Sequence, residues 1–337
     1  MKVAIITDTH YNFKKGSQVF HDYFEKFYKE VFFPFLKKSK IDTVIHLGDI
    51  FDNRRATDYW SIEWTKRVIL EPLKKYKVHL VLGNHDIFYK NTNKLNSPEL
   101  LIGDYKNINI YTKPTNVQVG GQEVLFIPWI TPDGESETLA AIQNTSARVA
   151  MGHLELTGFY AHRGQIQQSG RDKSVFQKFD KVFSGHYHSY QTINNITYVS
   201  SPFESHFGDH GHHGWCFYDD DTDQLEFYEN ELSPRFVHIE LNKKSMDDIL
   251  ALKNCFIKLK IKKNIEQIVL LKLRDKLLQN NFDVQFEWNI TNNIQKIAIA
   301  KDWENYISED VEDIIKSYVK ENEFDTDKQK MLDYLFN

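Results

Sequence analysis

Val78-His79-Leu80-Val81-Leu82-Gly83-Asn84-His85-Asp86 is the stretch that decides the fold of this 337-residue chain. Residues 78–82 form a short, almost continuous apolar run, the pattern of a strand buried on both faces. Polar residues begin at its C-terminal end, which is where α/β proteins build their sites. The same arrangement opens the chain, where Lys2-Val3-Ala4-Ile5-Ile6-Thr7 leads into Asp8-Thr9-His10. It recurs where residues 41–47 lead into Gly48-Asp49. Between these runs Phe20, Phe24, Phe27, Tyr28 and Val31 fall at helical spacing, predicting a helix over about 17–38 with Pro34 as a kink or stop. A second helix is expected over about 58–75. Three strand–helix units therefore carry three polar tips.

Further along, strand-like runs come closer together, at 108–111, 117–119, 124–127, 149–151, 181–183, 197–199 and 215–218, with turn residues between most of them. Packing this largely β half on the first gives an α/β protein, a layered α/β/β/α sandwich with helices outside two sheets. The texture changes at Ser233-Pro234. A strand at 256–261, a helix at 265–279 and a strand at 284–290 read as a small α/β module. The final stretch carries Trp303, Tyr306, Ile307, Val311, Ile314, Ile315, Tyr318 and Val319 as a helical stripe. A capping-box pair, Thr326 and Gln329, starts a last helix. The expected division is 1–234, 235–300 and 301–337.

With 41% hydrophobic, 26% charged and 14% aromatic residues, the composition is that of a folded globular protein. The two cysteines, Cys216 and Cys255, match no zinc-ligand spacing and suggest no disulfide framework, so a reducing cytoplasm is expected. The first apolar run meets Asp8 too soon for a signal peptide or a membrane span, and no other segment does better, so no membrane association is expected. Net charge is −5, but residues 301–337 alone hold five Lys against eleven Asp or Glu, which leaves 37 basic against 36 acidic residues in 1–300. Bulk charge thus offers nothing towards a nucleic-acid substrate, and the acidic end suits a protein partner better than phosphate.

Five motifs carry chemistry: Asp8-Thr9-His10, Gly48-Asp49, Gly83-Asn84-His85-Asp86, Gly152-His153 and Gly185-His186-Tyr187-His188, each ending or following a strand-like run. Carboxylates, imidazoles and an amide oxygen suit divalent first-row metals such as manganese, iron or zinc. The glycines are read as sharp turns beside the site.

This ordered set resembles the calcineurin-like metallophosphoesterases. Within them, Gly48-Asp49-Ile50-Phe51-Asp52-Asn53-Arg54-Arg55 and the stretch Gly152 to Phe159 are most similar to SbcD-type recombination and repair nucleases, in particular those of large tailed phages. The resemblance implies two divalent ions, manganese first with magnesium, iron or zinc as alternatives. Asp8, His10, Asp49 and His188 would hold one, and Asp49, Asn84, His153 and His186 the other. It implies phosphodiester hydrolysis by a metal-bridging hydroxide, with His85 stabilising charge or protonating the leaving oxygen and Asp86 orienting His85. It also implies DNA as substrate, a homodimer formed through the nuclease domain, and a coiled-coil ABC-type, SbcC-like ATPase clasped by residues 303–336. The setting would be the cytoplasm, that of the host if the chain is phage-encoded. Where many cellular members have a further histidine this chain has Asp52, expected to pair with Arg54 or Arg55. The competing readings are a small-molecule phosphodiesterase or phosphatase with the same two metals, and a scaffold that has lost its chemistry.

Other residues have plainer readings. His46 belongs to a strand core, whereas His21, His79, His162 and His238 are surface or boundary residues. His206, His210, His212 and His213 crowd a Gly-rich stretch read as a hairpin tip rather than a third metal site. The aromatic residues of the first helices are core packing.

Overall fold

A computed structural model describes residues 1–288 apart from 210, 241–242 and 262–266. The stripe from Trp303, the capping-box helix and His210 lie outside the described residues.

The strands, in chain order, are β1 Lys2–Ile6, β2 Thr43–His46, β3 Lys77–Val81, β4 Ile108–Tyr111, β5 Thr115–Val119, β6 Gln122–Ile127, β7 Val149–His153, β8 Tyr160–His162, β9 Gln165–Ile166, β10 Lys181–Gly185, β11 Gln191–Ile193, β12 Ile196–Tyr198, β13 Gly214–Asp219, β14 Gln224–Glu229, β15 Arg235–Glu240, β16 Cys255–Ile261 and β17 Asp283–Trp288. They form two six-stranded sheets, ordered β14-β13-β1-β2-β3-β4 and β11-β12-β10-β7-β6-β5, a three-stranded sheet β15-β16-β17 and the small hairpin β8-β9. In the first sheet β1, β2, β3 and β4 run parallel, while β13 returns from late in the chain to pair antiparallel with β1, Lys2 opposite Asp219. In the second, β6, β7, β10 and β12 are parallel.

Alternation along single strands assigns the layers. Val3 and Ile5 of β1 meet Val124 and Phe126 of β6 between the sheets, in a core that also holds Ile45, Met151 and Phe183. Ala4 and Ile6 face the other way, onto Phe24, Phe27 and Trp64 of the outer helices. Leu125, Ile127 and Val182 pack outward on Ile142 and Phe176. Each fully buried large apolar side chain contributes about 1.5–3 kcal/mol of transfer free energy, and the two faces share it between three layers. The α/β/β/α sandwich expected from the sequence is what forms.

Neither early proline ends its helix. Gln18–Phe27 passes through a π-helical turn, Tyr28–Phe32, into Phe33–Lys38, and Tyr59–Thr65 passes through Lys66–Leu70 into Glu71–Leu73. Pro34 and Pro72 each follow such a widened turn, which accommodates a ring that an α-helical turn would drive into the carbonyl four residues back. The second helix begins where Asp58 accepts the Ser61 amide at 2.8 Å.

The sheet β15-β16-β17 has its own apolar cluster, Ile239, Ile257, Leu259, Leu277 and Val284, under the helix Gln267–Leu278. It is also tied to the larger body: the Phe256 ring stacks on Phe20 with centroids 5.4 Å apart, and Phe236 stacks on Phe256 at 4.6 Å. The Gly-rich histidine stretch is no hairpin tip. It lies on the connection from β12 to β13, which belong to different sheets. His21 and His79 are buried, contrary to their surface reading: His21 stacks on Trp64 at 4.4 Å and His79 on Phe126 at 5.2 Å. The core reading of His46 agrees with its burial and with its contact to the Thr9 hydroxyl at 3.0 Å. Among the described residues no helix is long and apolar enough to cross a membrane.

Candidate metal centre

The parallel strands of both sheets deliver their C-terminal ends to one place. Asp8 and His10 follow β1, Gly48 and Asp49 follow β2, Gly83 to Asp86 follow β3, His153 ends β7, and His186 and His188 follow β10. The backbone there is unusual: Asp8 (φ 50°), His10 (42°), Asp49 (57°) and His186 (96°) all lie at positive φ. Such angles cost a side-chain-bearing residue free energy and persist only where surrounding contacts hold them.

Two of the glycines explain how the loops approach. Gly48 has φ of 97°, and a Cβ on it would lie 2.6 Å from the Gly83 nitrogen. Gly83 needs no special angle; a Cβ there would sit 2.1 Å from Asp49 Oδ1, so its role is close approach rather than the sharp turn expected. Asp86 fastens these two loops. It is fully buried, its Oδ2 accepts the amides of Asp49 (2.8 Å) and Gly83 (2.7 Å), and its Oδ1 accepts that of Ile50 (3.0 Å). Burial, followed by the neighbouring Asp49 carboxylate, pushes the Asp86 carboxyl up to about 7 against the pull of the amides.

All seven residues expected to hold metal are brought together. Donor atoms of Asp8, His10 and His188 lie within 4.8 Å of one another, as do those of Asp8, Asp49 and His153. Asn84 Oδ1 is 3.1 Å from His153 Nε2 and 2.9 Å from His186 Nδ1, and His153 Nε2 is 3.4 Å from Asp49 Oδ2. Donors about 2.1 Å from a shared cation stand about 3 Å apart, so this spacing fits a coordination shell. Among the described residues Asp8 Oδ1 and His10 Nδ1 are buried without a hydrogen-bond partner, which fits donors to a cation. The donor set suits divalent metal ions.

Electrostatics without metal shows the same strain. Burial works against charge on Asp49, yet the imidazoles of His153, His85 and His10 hold its carboxyl well below the usual range. Burial, with Asp49 adding to it, raises Asp8. Burial holds His10 well below the ordinary histidine value and His186 down to about 3. His153 goes the other way, to about 9, because Asp49 and Asp8 outweigh its burial. Its Nδ1–H donates to the Leu47 carbonyl at 2.7 Å, so Nε2, which faces Asp49 and Asn84, is the atom that would give up its proton to bind a cation.

His85 lies against this cluster, its ring 5.0 Å from that of His10, and its amide donates to Asp49 Oδ1 at 2.7 Å. The expectation that Asp86 orients it is corrected: Asp86 is spent on three amides, and His85 Nδ1 is bonded to the backbone carbonyl of Asp52. Nor is Asp52 paired with Arg54 or Arg55; its Oδ1 lies 3.7 Å from His10 Nδ1 and its amide donates to Asn12. Residues with no motif signal also border the centre. Trp129 packs its ring 5.0 Å from His186 and 5.9 Å from His153, and Asp209 stands behind His188.

A family profile described as calcineurin-like phosphoesterase matches residues 1–190. Exonuclease subunit 1 of Enterobacteria phage T4 is 33% identical over 197 residues, which is 58% of this chain and 58% of that relative, so the chain spans little more than half of its length. Solved structures that resemble this one include a dimetal phosphatase from Danio rerio (13% identity, 64% of this chain and 91% of that one, TM-score 0.39). Another is the nuclease MPE of Pseudomonas putida (17%, 58% and 66%, TM-score 0.26). TM-scores this low carry no functional inference. With the profile covering more than half of the chain and a site built from its five loop motifs, the chain belongs to the calcineurin-like phosphoesterases.

Proposed function

We propose that this chain is the nuclease subunit of a DNA recombination or repair complex, hydrolysing phosphodiesters with two divalent cations, manganese in the first instance. The observation that carries the reading is the convergence of Asp8, His10, Asp49, Asn84, His153, His186 and His188 with His85 beside them. Asp8, His10 and His188 would hold one ion, Asn84, His153 and His186 the other, with Asp49 shared. Bound there, two cations supply an acidified water and neutralise charge on the phosphoryl oxygens.

The chain's own groups do the rest. The Asp52 carbonyl accepts a hydrogen bond from Nδ1–H of His85 and fixes the ring, so Nε2 is free to hold a proton for the leaving oxygen. Asp86 keeps the Asp49 and Asn84 loops in register. The similarity to a phage exonuclease subunit supports DNA over a small ester as substrate, and action in the cytoplasm where phage DNA is processed. The reading also includes a 1–234 nuclease domain, a 235–300 module that selects substrate, and an ATPase partner bound through 303–336. It includes a homodimer, to which the exposed Tyr59, Trp60 and Leu100 offer apolar surface.

The test compares manganese-dependent cleavage of end-labelled single- and double-stranded DNA with hydrolysis of bis-p-nitrophenyl phosphate, with Asp49→Ala and His85→Ala as controls. DNA cutting that both substitutions abolish is the expected result. Hydrolysis of the small ester without DNA cutting, even with the ATPase added, would overturn the nuclease reading in favour of a small-molecule phosphodiesterase.

A further inference from the structure

The turn from Ser205 to Asp209 lies behind His188, outside the seven donors. Asp209 is only 5% exposed, and its two oxygens have different tasks. Oδ2 closes the turn, accepting the Ser205 amide (2.6 Å), the Ser205 hydroxyl (2.8 Å) and the His206 amide (3.1 Å). Oδ1 faces two imidazoles, His188 Nδ1 at 3.5 Å and His206 Nε2 at 3.3 Å. At the far end of the same ring, His188 Nε2 points to Asp8 Oδ1, 3.8 Å away.

Among the described residues the other polar atom near His188 Nδ1 is Ser205 Oγ at 3.4 Å, and its proton is committed to Asp209 Oδ2. Towards His188 it can only accept. Both neighbours of Nδ1 are therefore acceptors, which keeps a proton on Nδ1 and leaves Nε2, on the side of Asp8, as the atom that can shed its proton to bind a cation.

We infer that Asp209 is a positioning residue that sets the tautomer and orientation of His188 for cation binding. The inference rests on the reading of Asp8, His10 and His188 as metal ligands. A carboxylate behind a ligating imidazole makes it more basic and holds its ring, and losing such a partner typically lowers metal affinity about 10–100-fold.

Asp209→Asn separates this role from the closing of the turn. The amide oxygen can take the place of Oδ2 and keep all three turn bonds. The NH2 group then occupies the place of Oδ1 and donates towards His188 Nδ1. That favours the opposite tautomer, with a proton on Nε2 where the lone pair is needed.

The experiment is manganese titration of the metal-free full chain by calorimetry, with melting curves and histidine ring 15N spectra of the same samples. The parent is expected to bind two ions, with His188 protonated at Nδ1. Asp209→Asn should melt like the parent when metal-free, bind at one site about 10–100-fold more weakly, and show His188 protonated at Nε2. His206→Ala, which leaves Asp209 facing His188, should keep both affinities. Unchanged affinities in Asp209→Asn would overturn the inference, as would a lowered melting temperature of its metal-free form or a third manganese bound by the parent and lost in the variant. A parent that binds no manganese would instead sink the reading of the metal centre itself.

Discussion

Asp86 offers the sharpest test of how this centre is held together. Replacing it with alanine removes the acceptors of three amides: Asp49 and Gly83 on Oδ2, Ile50 on Oδ1. The side chain has no exposed surface, so water does not readily take its place. Each buried N–H left without a partner costs about 1–3 kcal/mol, so losing the acceptors of three amides in Asp86→Ala should destabilise the protein by about 3–9 kcal/mol. That is a large part of the stability of an ordinary domain. Asp86→Asn should cost less, about 2 kcal/mol. Its oxygen can serve Asp49 and Gly83 while its NH2 group opposes Ile50, and a neutral amide also escapes the repulsion from Asp49 that raises the acid. Urea unfolding of the metal-free proteins, followed by tryptophan fluorescence, gives the order parent, Asn, Ala. Catalysis adds a second signature: because Asp86 acts through the Asp49 and Asn84 loops, manganese affinity should fall in step with stability. Should Asp86→Ala unfold within about 0.5 kcal/mol of the parent, the brace described here does not exist.

Three further outcomes are expected. His85→Ala should lower kcat about 10²–10⁴-fold while the protein still takes up its full complement of manganese by elemental analysis, since His85 is no ligand in this reading; loss of metal would contradict that role. Gly83→Ala should disrupt metal uptake by calorimetry, because its Cβ would meet Asp49 Oδ1 at 2.1 Å and the Asp49 nitrogen at 2.5 Å. His79 is held down to about 4, by burial first and the Lys77 charge second, so the unfolded chain takes up its proton near pH 6.5 and the folded one only near 4. Its contribution is complete above pH 6.5 and is lost as pH falls from 6.5 towards 4, by at most about 3 kcal/mol. His79→Phe, which keeps the stack on Phe126, should flatten the stability profile in that window by a corresponding amount, and an unchanged slope would discount the burial of His79.

The strand tips are legible in the sequence because strands buried on both faces are continuous apolar runs that stop abruptly at a polar residue, as at Thr7-Asp8 and Leu82-Gly83. The ligand set is legible for the same reason, with each donor next to such a stop. What the sequence conceals is whatever depends on backbone atoms or on distant neighbours. The Leu47 and Asp52 carbonyls that orient His153 and His85 would be the same with any side chain at those positions. The helix Glu135–Asn144 buries only Thr138 and Ile142, too little for a stripe. The strand Gln224–Glu229 has no fully buried residue to give it a pattern. His79 looks like any strand histidine until Phe126 and Tyr111 arrive from other strands to cover it.

The amide of His186 donates to Asp8 Oδ2 at 3.0 Å across 178 positions of chain. Closing so long a loop is entropically unfavourable, and contacts between such distant segments form slowly. The cation pocket is therefore among the last features to mature as the chain acquires its structure, and a partly folded molecule has at most half of one. A metal centre built this way is incomplete until its two sheets have met, and cation uptake would then act as a latch, since an ion that binds only the finished form draws the equilibrium towards it.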